Sequence, residues 1–298
     1  MVEKFYRLLC SAAYPSFAFR KQSHGIRMNK LSREISEEQP RTIGVLGLRL
    51  GCNSQLEDLY QEGASKALFA RKRTGAEAIL INTSGGITGG DSLKGDFETT
   101  DDACLCVTTQ GFERVYKSRD KSSGVVKNTI TVRDNSSFHW LPQETLFYDG
   151  GHLDRNLTVN ASSDATTLIV EPMLFGRLAM GEDKLFGRLR DRISLSIDGE
   201  LCFQDSTEFV GSITNILNRP TVMAGARATA LVILSSHRAS AVLPKILPLL
   251  NDTSGASLIN RRLMVSRLIA HEGMALRQML IPIINEITQI DIPKTWRL

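Results

Sequence analysis

The sequence predicts a mainly β protein with a small number of helices toward its C-terminus. Three observations carry this expectation. From Ala78 onward the apolar residues fall in many short alternating runs, rich in β-branched and aromatic side chains. Clusters of Gly, Asp, Asn and Ser separate the runs, and no long amphipathic helix alternates with them, which argues against a doubly wound parallel sheet. Two later segments instead repeat their apolar residues at helical spacing.

Taken in order, residues 78–82 are a short apolar run that leads into the glycine-dense stretch 84–92. Strands are predicted over 104–109, 125–132, 137–141, 157–160, 166–170, 192–197 and 200–205. Asp134-Asn135, Asp149-Gly150-Gly151 and Asp198-Gly199 mark turns, because these residues tolerate positive φ. Over 239–250, Ala239, Leu243, Ile246, Leu247 and Leu250 recur at helical spacing. Pro244 and Pro248 interrupt them, so that helix is short or opens near Pro244. Residues 262–270 read as a further strand. A second helix over 274–289 places Leu276, Met279, Leu280, Ile283 and Ile287 on one stripe, with a kink expected at Pro282. No repeat of fixed period stands out.

Of the chain's formal net charge of +4, residues 1–40 supply +3, with seven Lys/Arg against four Glu. They form a basic extension ahead of a nearly neutral body, 41–298, which no low-complexity linker divides. That balance gives the body no pull toward nucleic acid. No apolar run approaches the ~20 residues needed to span a bilayer. The first thirty residues lack an uninterrupted apolar centre and a small-residue cleavage site, so cytoplasmic residence is expected. Five cysteines, at 10, 52, 104, 106 and 202, form no disulfide framework or C-x-x-C motif. Cys104-x-Cys106 would share one face of a strand, where core packing is the simpler reading.

The run Ser84-Gly-Gly-Ile-Thr-Gly-Gly-Asp-Ser92 invites a test for nucleotide binding, and fails it. A P-loop needs Lys and a hydroxyl residue after its last glycine, where Asp91 stands. The G-x-G-x-x-G spacing is absent, and Ser84 lacks the glycine two positions before it that a nucleophile elbow requires. The glycines Gly85, Gly86, Gly89 and Gly90 instead permit sharp backbone reversals that fix Asp91, which either caps the turn or serves a site. Five isolated histidines offer no ligand pair. Carboxylates in or beside apolar segments are the remaining candidates: Asp91, Glu113, Glu144, Glu171 and Asp205. Glu171 sits between Leu168-Ile-Val170 and Pro172-Met-Leu-Phe175, where burial demands a partner or water. Arg177 could be that partner. A carboxylate-based hydrolase using Glu144 and Glu171 as acid and base is the alternative enzymatic reading.

Five stretches together resemble the urease accessory protein UreD family, called UreH in some bacteria. They are Ile81-Asn-Thr-Ser-Gly-Gly-Ile-Thr-Gly-Gly-Asp91, Thr108-Thr-Gln-Gly-Phe-Glu-Arg-Val-Tyr-Lys-Ser118 and Leu141-Pro-Gln-Glu-Thr-Leu-Phe-Tyr-Asp-Gly150. Glu171-Pro-Met-Leu-Phe-Gly-Arg-Leu-Ala-Met-Gly-Glu182 and Ile292-Pro-Lys-Thr-Trp-Arg-Leu298 complete the set, in register over 41–298. The resemblance implies a helicoid, solenoid-like stack of short strands and a cytoplasmic, non-catalytic scaffold. Such a scaffold binds apo-urease and bridges it to UreF and, through UreF, to the nickel-carrying GTPase UreG, with two copies in the accessory complex. It implies no tightly bound cofactor but transient nickel, passed through an internal tunnel. The acidic positions linked to that path map onto Asp91, Glu113, Glu171 and Asp205.

Overall fold

The computed structural model describes residues 40–70 and 75–297, so the basic extension, apart from Pro40, lies outside the described residues. In chain order the strands are β1 (Ile43–Gly51), β2 (Gln55–Gly63), β3 (Ser65–Ala70), β4 (Ala76–Asn82), β5 (Ser92–Thr99), β6 (Cys104–Thr109) and β7 (Glu113–Val115). Next come β8 (Gly124–Val132), β9 (Ser137–Leu141), β10 (Thr145–Phe147), β11 (His152–Ala161), β12 (Thr166–Phe175), β13 (Phe186–Ile197) and β14 (Glu200–Ser212). The C-terminal part holds α1 (Ile213–Leu217), β15 (Ala228–Ser235), α2 (Ala239–Ile246), β16 (Gly255–Asn260), β17 (Leu263–Ala270) and α3 (Gly273–Thr288).

Two sheets face each other. One runs β14-β13-β11-β8-β5-β1-β2, the other β16-β17-β15-β12-β9-β6-β4-β3. The chain winds between them: β5 leads to β6, β8 to β9, and β11 to β12. Each return lays the new strand parallel beside its predecessor. Parallel pairing usually needs crossover helices. Here the strands of the opposite sheet make the crossover, which is the logic of a solenoid. A third, narrow strip joins β7, β10 and the end of β12, with Thr145 beside Glu113 on one side and Met173 on the other.

Alternation along the strands explains the burial. Phe97, Ile130, Leu157 and Ile193 point inward from the first sheet and meet Leu105, Phe138, Trp140 and Ile169 of the second. The outer face of the second sheet is apolar as well, with Leu168, Val170, Ala230 and Val232. It is covered by Val242 and Ile246 of α2 and by Leu276, Leu280, Ile283 and Ile287 of α3. The apolar stripe expected in the second helix therefore serves this core. A third cluster, with Leu153, Phe175, Leu185 and Leu189, packs under α1.

The first C-terminal helix is short, one of the two sequence readings: it opens at Ala239, ahead of Pro244, because Ala239 and Val242 already bury against the sheet. One sequence expectation needs correction: strand structure begins well before Ala78, since β1, β2 and β3 precede it. The turn signals hold: Asp134 and Asn135 have φ of 52° and 59°, and Asp198 and Gly199 have 51° and 84°. The latter pair matches the positive-φ hairpin turns that suit twisted strands. No helix among the described residues is long and apolar enough to cross a membrane.

Candidate functional site

Between the two sheets, a polar layer separates the apolar cluster around Leu157 and Ile193 from the one around Leu153 and Leu189. Arg155 lies between Leu153 and Leu157 in β11, so strand alternation turns its side chain into the interior with them. Parallel register sets Asp191 of β13 beside it, and Ile193 next along pairs with Asp205 of β14. From the opposite sheet, Glu171 of β12 points inward in line with Ile169 and Met173.

The resulting contacts are close. Arg155 Nε and Nη2 donate to Asp191 Oδ1 and Oδ2 at 2.9 and 2.6 Å. Its Nη1 lies 2.5 Å from Glu171 Oε2 and donates to Thr145 Oγ1 at 3.3 Å. Trp140 Nε1 donates to Glu171 Oε1 at 2.7 Å. One guanidinium thus serves two carboxylates. Burial alone would loosen the Arg155 proton, but Asp191 and Glu171 outweigh it and hold that proton more tightly than usual. The Glu171 carboxyl is pushed above its ordinary range, first by burial and then by Asp191, against the pull of Arg155 and Trp140.

Two interior cavities flank this cluster, of about 480 and about 390 Å³. The first is walled by Leu93, Gly95, Asn128, Trp140 and Glu113 and reaches the exposed Arg114. The second is walled by Met173, Asp191, Thr207, Asp205 and Arg267 and reaches the exposed Glu208. Arg155 and Glu171 line both. The cavities therefore abut at that ion pair and together run across the strands between the sheets.

Three of the four acidic positions mapped by the resemblance line these spaces. Glu113 faces the first cavity from β7, and both of its carboxylate oxygens accept from Asn82 Nδ2 at 3.2 Å. Burial pushes its carboxyl up to about 7, against the Asn82 hydrogen bond and Arg114; the charge of Asp91 adds to the rise. Glu171 stands at the junction. Asp205 faces the second cavity, paired with Arg267 at 2.7 Å. Asp91 lies outside both linings. Its Oδ1 accepts from Thr42 N and its Oδ2 from Thr88 N, each at 2.8 Å, so it closes the glycine turn.

The glycine turn itself is tightly built. Gly85 and Gly90 have φ of 79° and 84°, and Gly89 packs against the segment holding Ser118 and Ser122. A Cβ on Gly86 would meet the Tyr116 ring and stand 2.7 Å from the Arg114 carbonyl oxygen. That carbonyl cannot give way freely, because it accepts from Ile87 N at 2.7 Å. Gly86→Ala is therefore expected to cost about 2 kcal/mol by overpacking, read as a lower urea midpoint. An unchanged midpoint would show that the loop yields.

Two expectations about partners change. Glu171 pairs with Arg155, not with Arg177; Arg177 instead binds Glu182 through Nε and Nη2 and covers the Tyr148 ring at 4.3 Å. Residue 177 follows the end of β12 at a turn, so it cannot reach back to an inward side chain six residues earlier. Glu144 is fully buried, and both of its oxygens accept from Arg277 of α3, at 2.6 and 2.7 Å. It lines neither cavity, which leaves the Glu144–Glu171 acid–base pair without a shared space. Sequence reasoning missed Arg155 and Asp191. The signal was present, since Arg155 occupies an apolar-face position of an alternating strand. No cluster of three or more His, Cys, Asp or Glu among the described residues is placed to hold a metal ion.

Comparison with known proteins points in one direction. The family model described as UreD urease accessory protein matches residues 44–297, which is nearly the whole described fold. The urease accessory protein UreD of Ruegeria pomeroyi is 41% identical over 250 residues, covering 84% of this chain and 97% of its own length. That of Roseobacter denitrificans is 38% identical over 264 residues, covering 88% and 97%. The UreD of Agrobacterium fabrum is 36% identical over 247 residues, covering 82% and 86%. The chain belongs to the UreD family of urease accessory proteins.

Proposed function

We propose that this urease accessory protein is a non-catalytic cytoplasmic scaffold that binds apo-urease, bridges it to UreF and through UreF to UreG, and passes nickel along its interior. Two copies enter the complex. The observation that carries the passage is the pair of abutting cavities with carboxylates spaced along them: Glu113, then Glu171, then Asp205. A conduit for a divalent cation needs ligands that attract without trapping, so single carboxylates at intervals suit transit better than a chelating cluster. Nickel is cargo in this reading, and no resident metal is required. Asp91 acts at one remove, by fixing the turn and by its charge on Glu113. Since Glu144 is fully engaged by Arg277 and shares no cavity with Glu171, the hydrolase reading loses the pair it invoked.

The scaffold is tested by tagged pull-down after co-expression with UreF, UreG and apo-urease. Recovery of UreF and urease is expected; recovery of neither, from folded protein, would refute the scaffold. The passage is tested by Glu171→Gln with Asp205→Asn, which keep size and hydrogen bonding. Nickel per urease active site should fall several-fold while the complex still assembles. Full nickel loading by an intact complex of that double variant would remove the conduit role.

A further inference from the structure

Among the described residues, Arg155 and Glu171 are the pair common to the walls of both cavities. A guanidinium therefore stands where the two spaces meet, with its side chain 10% exposed. Any cation moving from one cavity to the other must pass this fixed positive charge. The cluster's charge count shows how it could. Two carboxyl groups, Glu171 and Asp191, face the single positive charge of Arg155, so the cluster holds one more acidic group than it has cations to pair with. A divalent cation between the same carboxylates would match both of them, the displaced guanidinium keeping its charge in the cavity space it already lines. A monovalent cation would do no better than the arginine already does.

The anchors of Arg155 come from three separate strands: Thr145 from β10, Glu171 from β12 and Asp191 from β13. All three face cavity space, so the guanidinium has room to turn aside on either side once its carboxylates are taken. We propose that Arg155 is a charge-operated gate between the two cavities, which opens when a divalent cation displaces the guanidinium from Glu171 and Asp191. The gate rests on the passage reading above. It closes the interior to monovalent cations and to water-borne leakage in the absence of cargo, because the arginine returns to the carboxylates when the divalent ion leaves.

The test uses the accessory complex with apo-urease and Ni²⁺ as the probe. It measures nickel per urease active site against time and nickel concentration, and the nickel that the accessory complex retains after desalting. In Arg155→Met the carboxylates have no competing cation. The complex is expected to retain about one nickel per chain, to reach half-maximal transfer at roughly tenfold lower nickel, and to transfer roughly tenfold more slowly. Arg155→Lys keeps a cation that cannot bridge both carboxylates bidentately, and should fall between Met and wild type in both quantities. A merely structural role would lower the yield of complex without moving the nickel dependence.

A third variant, Thr207→Trp, fills the second cavity beside Asp191 and tests the passage itself. If it stops transfer in an assembled complex while both Arg155 variants match wild type, the gate is overturned and the passage stands. If Thr207→Trp transfers nickel at the wild-type rate, the passage fails and the gate falls with it.

Discussion

Glu144→Ala is expected to destabilise the domain by about 3–5 kcal/mol, the cost of leaving one partner of a buried ion pair uncompensated. Glu144 and Arg277 are 0% and 4% exposed, so neither can turn to water when the other is lost. Arg277 Nε and Nη2 grip both oxygens of Glu144, and Nη2 also donates to Gln143 Oε1 at 2.9 Å. The remaining Nη1 has no hydrogen-bond partner; the guanidinium carbon lies 5.2 and 5.4 Å from the ring centres of Phe112 and Trp296. Trp296 is held in turn by Leu141 O, and Gln143 Nε2 by Thr295 O, both at 2.9 Å. The pair therefore ties α3 and the C-terminal segment to the end of β9. Replacing both partners by apolar residues, as in Glu144→Leu with Arg277→Met, should cost much less than Glu144→Ala alone. Urea denaturation of wild type, Glu144→Ala and the double variant gives the answer. A loss below 1 kcal/mol in Glu144→Ala would mean that water reaches the site.

Much of this architecture can be read from the chain, and the failures have physical causes. The strands from β6 onward declare themselves because their inward positions are large and apolar and their ends carry turn residues such as Asp198-Gly199. The first strand hides behind glycine: Gly44 starts the buried face of Leu46, Leu48 and Leu50, and Gly47 and Gly51 leave the opposite face without a side-chain pattern. The second strand is a sheet edge with an exposed, polar sequence, so pattern says nothing about it. The solenoid repeat is invisible because its coils differ in length. Ser92 pairs with Val125 and Cys104 with Ser137, 33 positions on, but Ser137 pairs with Thr166 and Gly124 with Leu153, 29 on. No fixed period exists to be found.

The site was legible in part for a related reason. Glu171 stands out because a lone carboxylate in a long apolar strand is costly, and that much is visible locally. Its cation is not, because Arg155 is sixteen positions away and is brought near by winding between sheets. Arg177 suggested itself through nearness in sequence alone. Asp191 sits among Arg188, Arg190 and Arg192, where charge alternation looks like a solvated face; only the parallel register beside Arg155 reveals that it turns inward. Glu113 drew attention as a carboxylate within one of the stretches that carry the family resemblance, yet its raised proton affinity comes first from burial, with the charge of Asp91 across the glycine turn adding to it and the Asn82 hydrogen bond opposing it.

Glu113→Gln is expected to stabilise the protein at pH 8 by about 2–3 kcal/mol and to change it by less than about 1 kcal/mol at pH 5. The sign follows from proton counting. The folded carboxyl holds its proton up to about pH 7, against an ordinary value of 4.5. Between those values the folded state binds more protons than the unfolded chain, so stability falls as pH rises through that window and levels off above it. A shift of this size corresponds to about 3 kcal/mol at 1.36 kcal/mol per pH unit, reduced somewhat because Glu113 is only partly buried. Glutamine keeps an oxygen for Asn82 and removes the charge, so its stability should be flat where that of wild type declines. Urea denaturation at pH 5, 6, 7 and 8 measures both curves, and parallel curves would mean that the carboxylate is solvated.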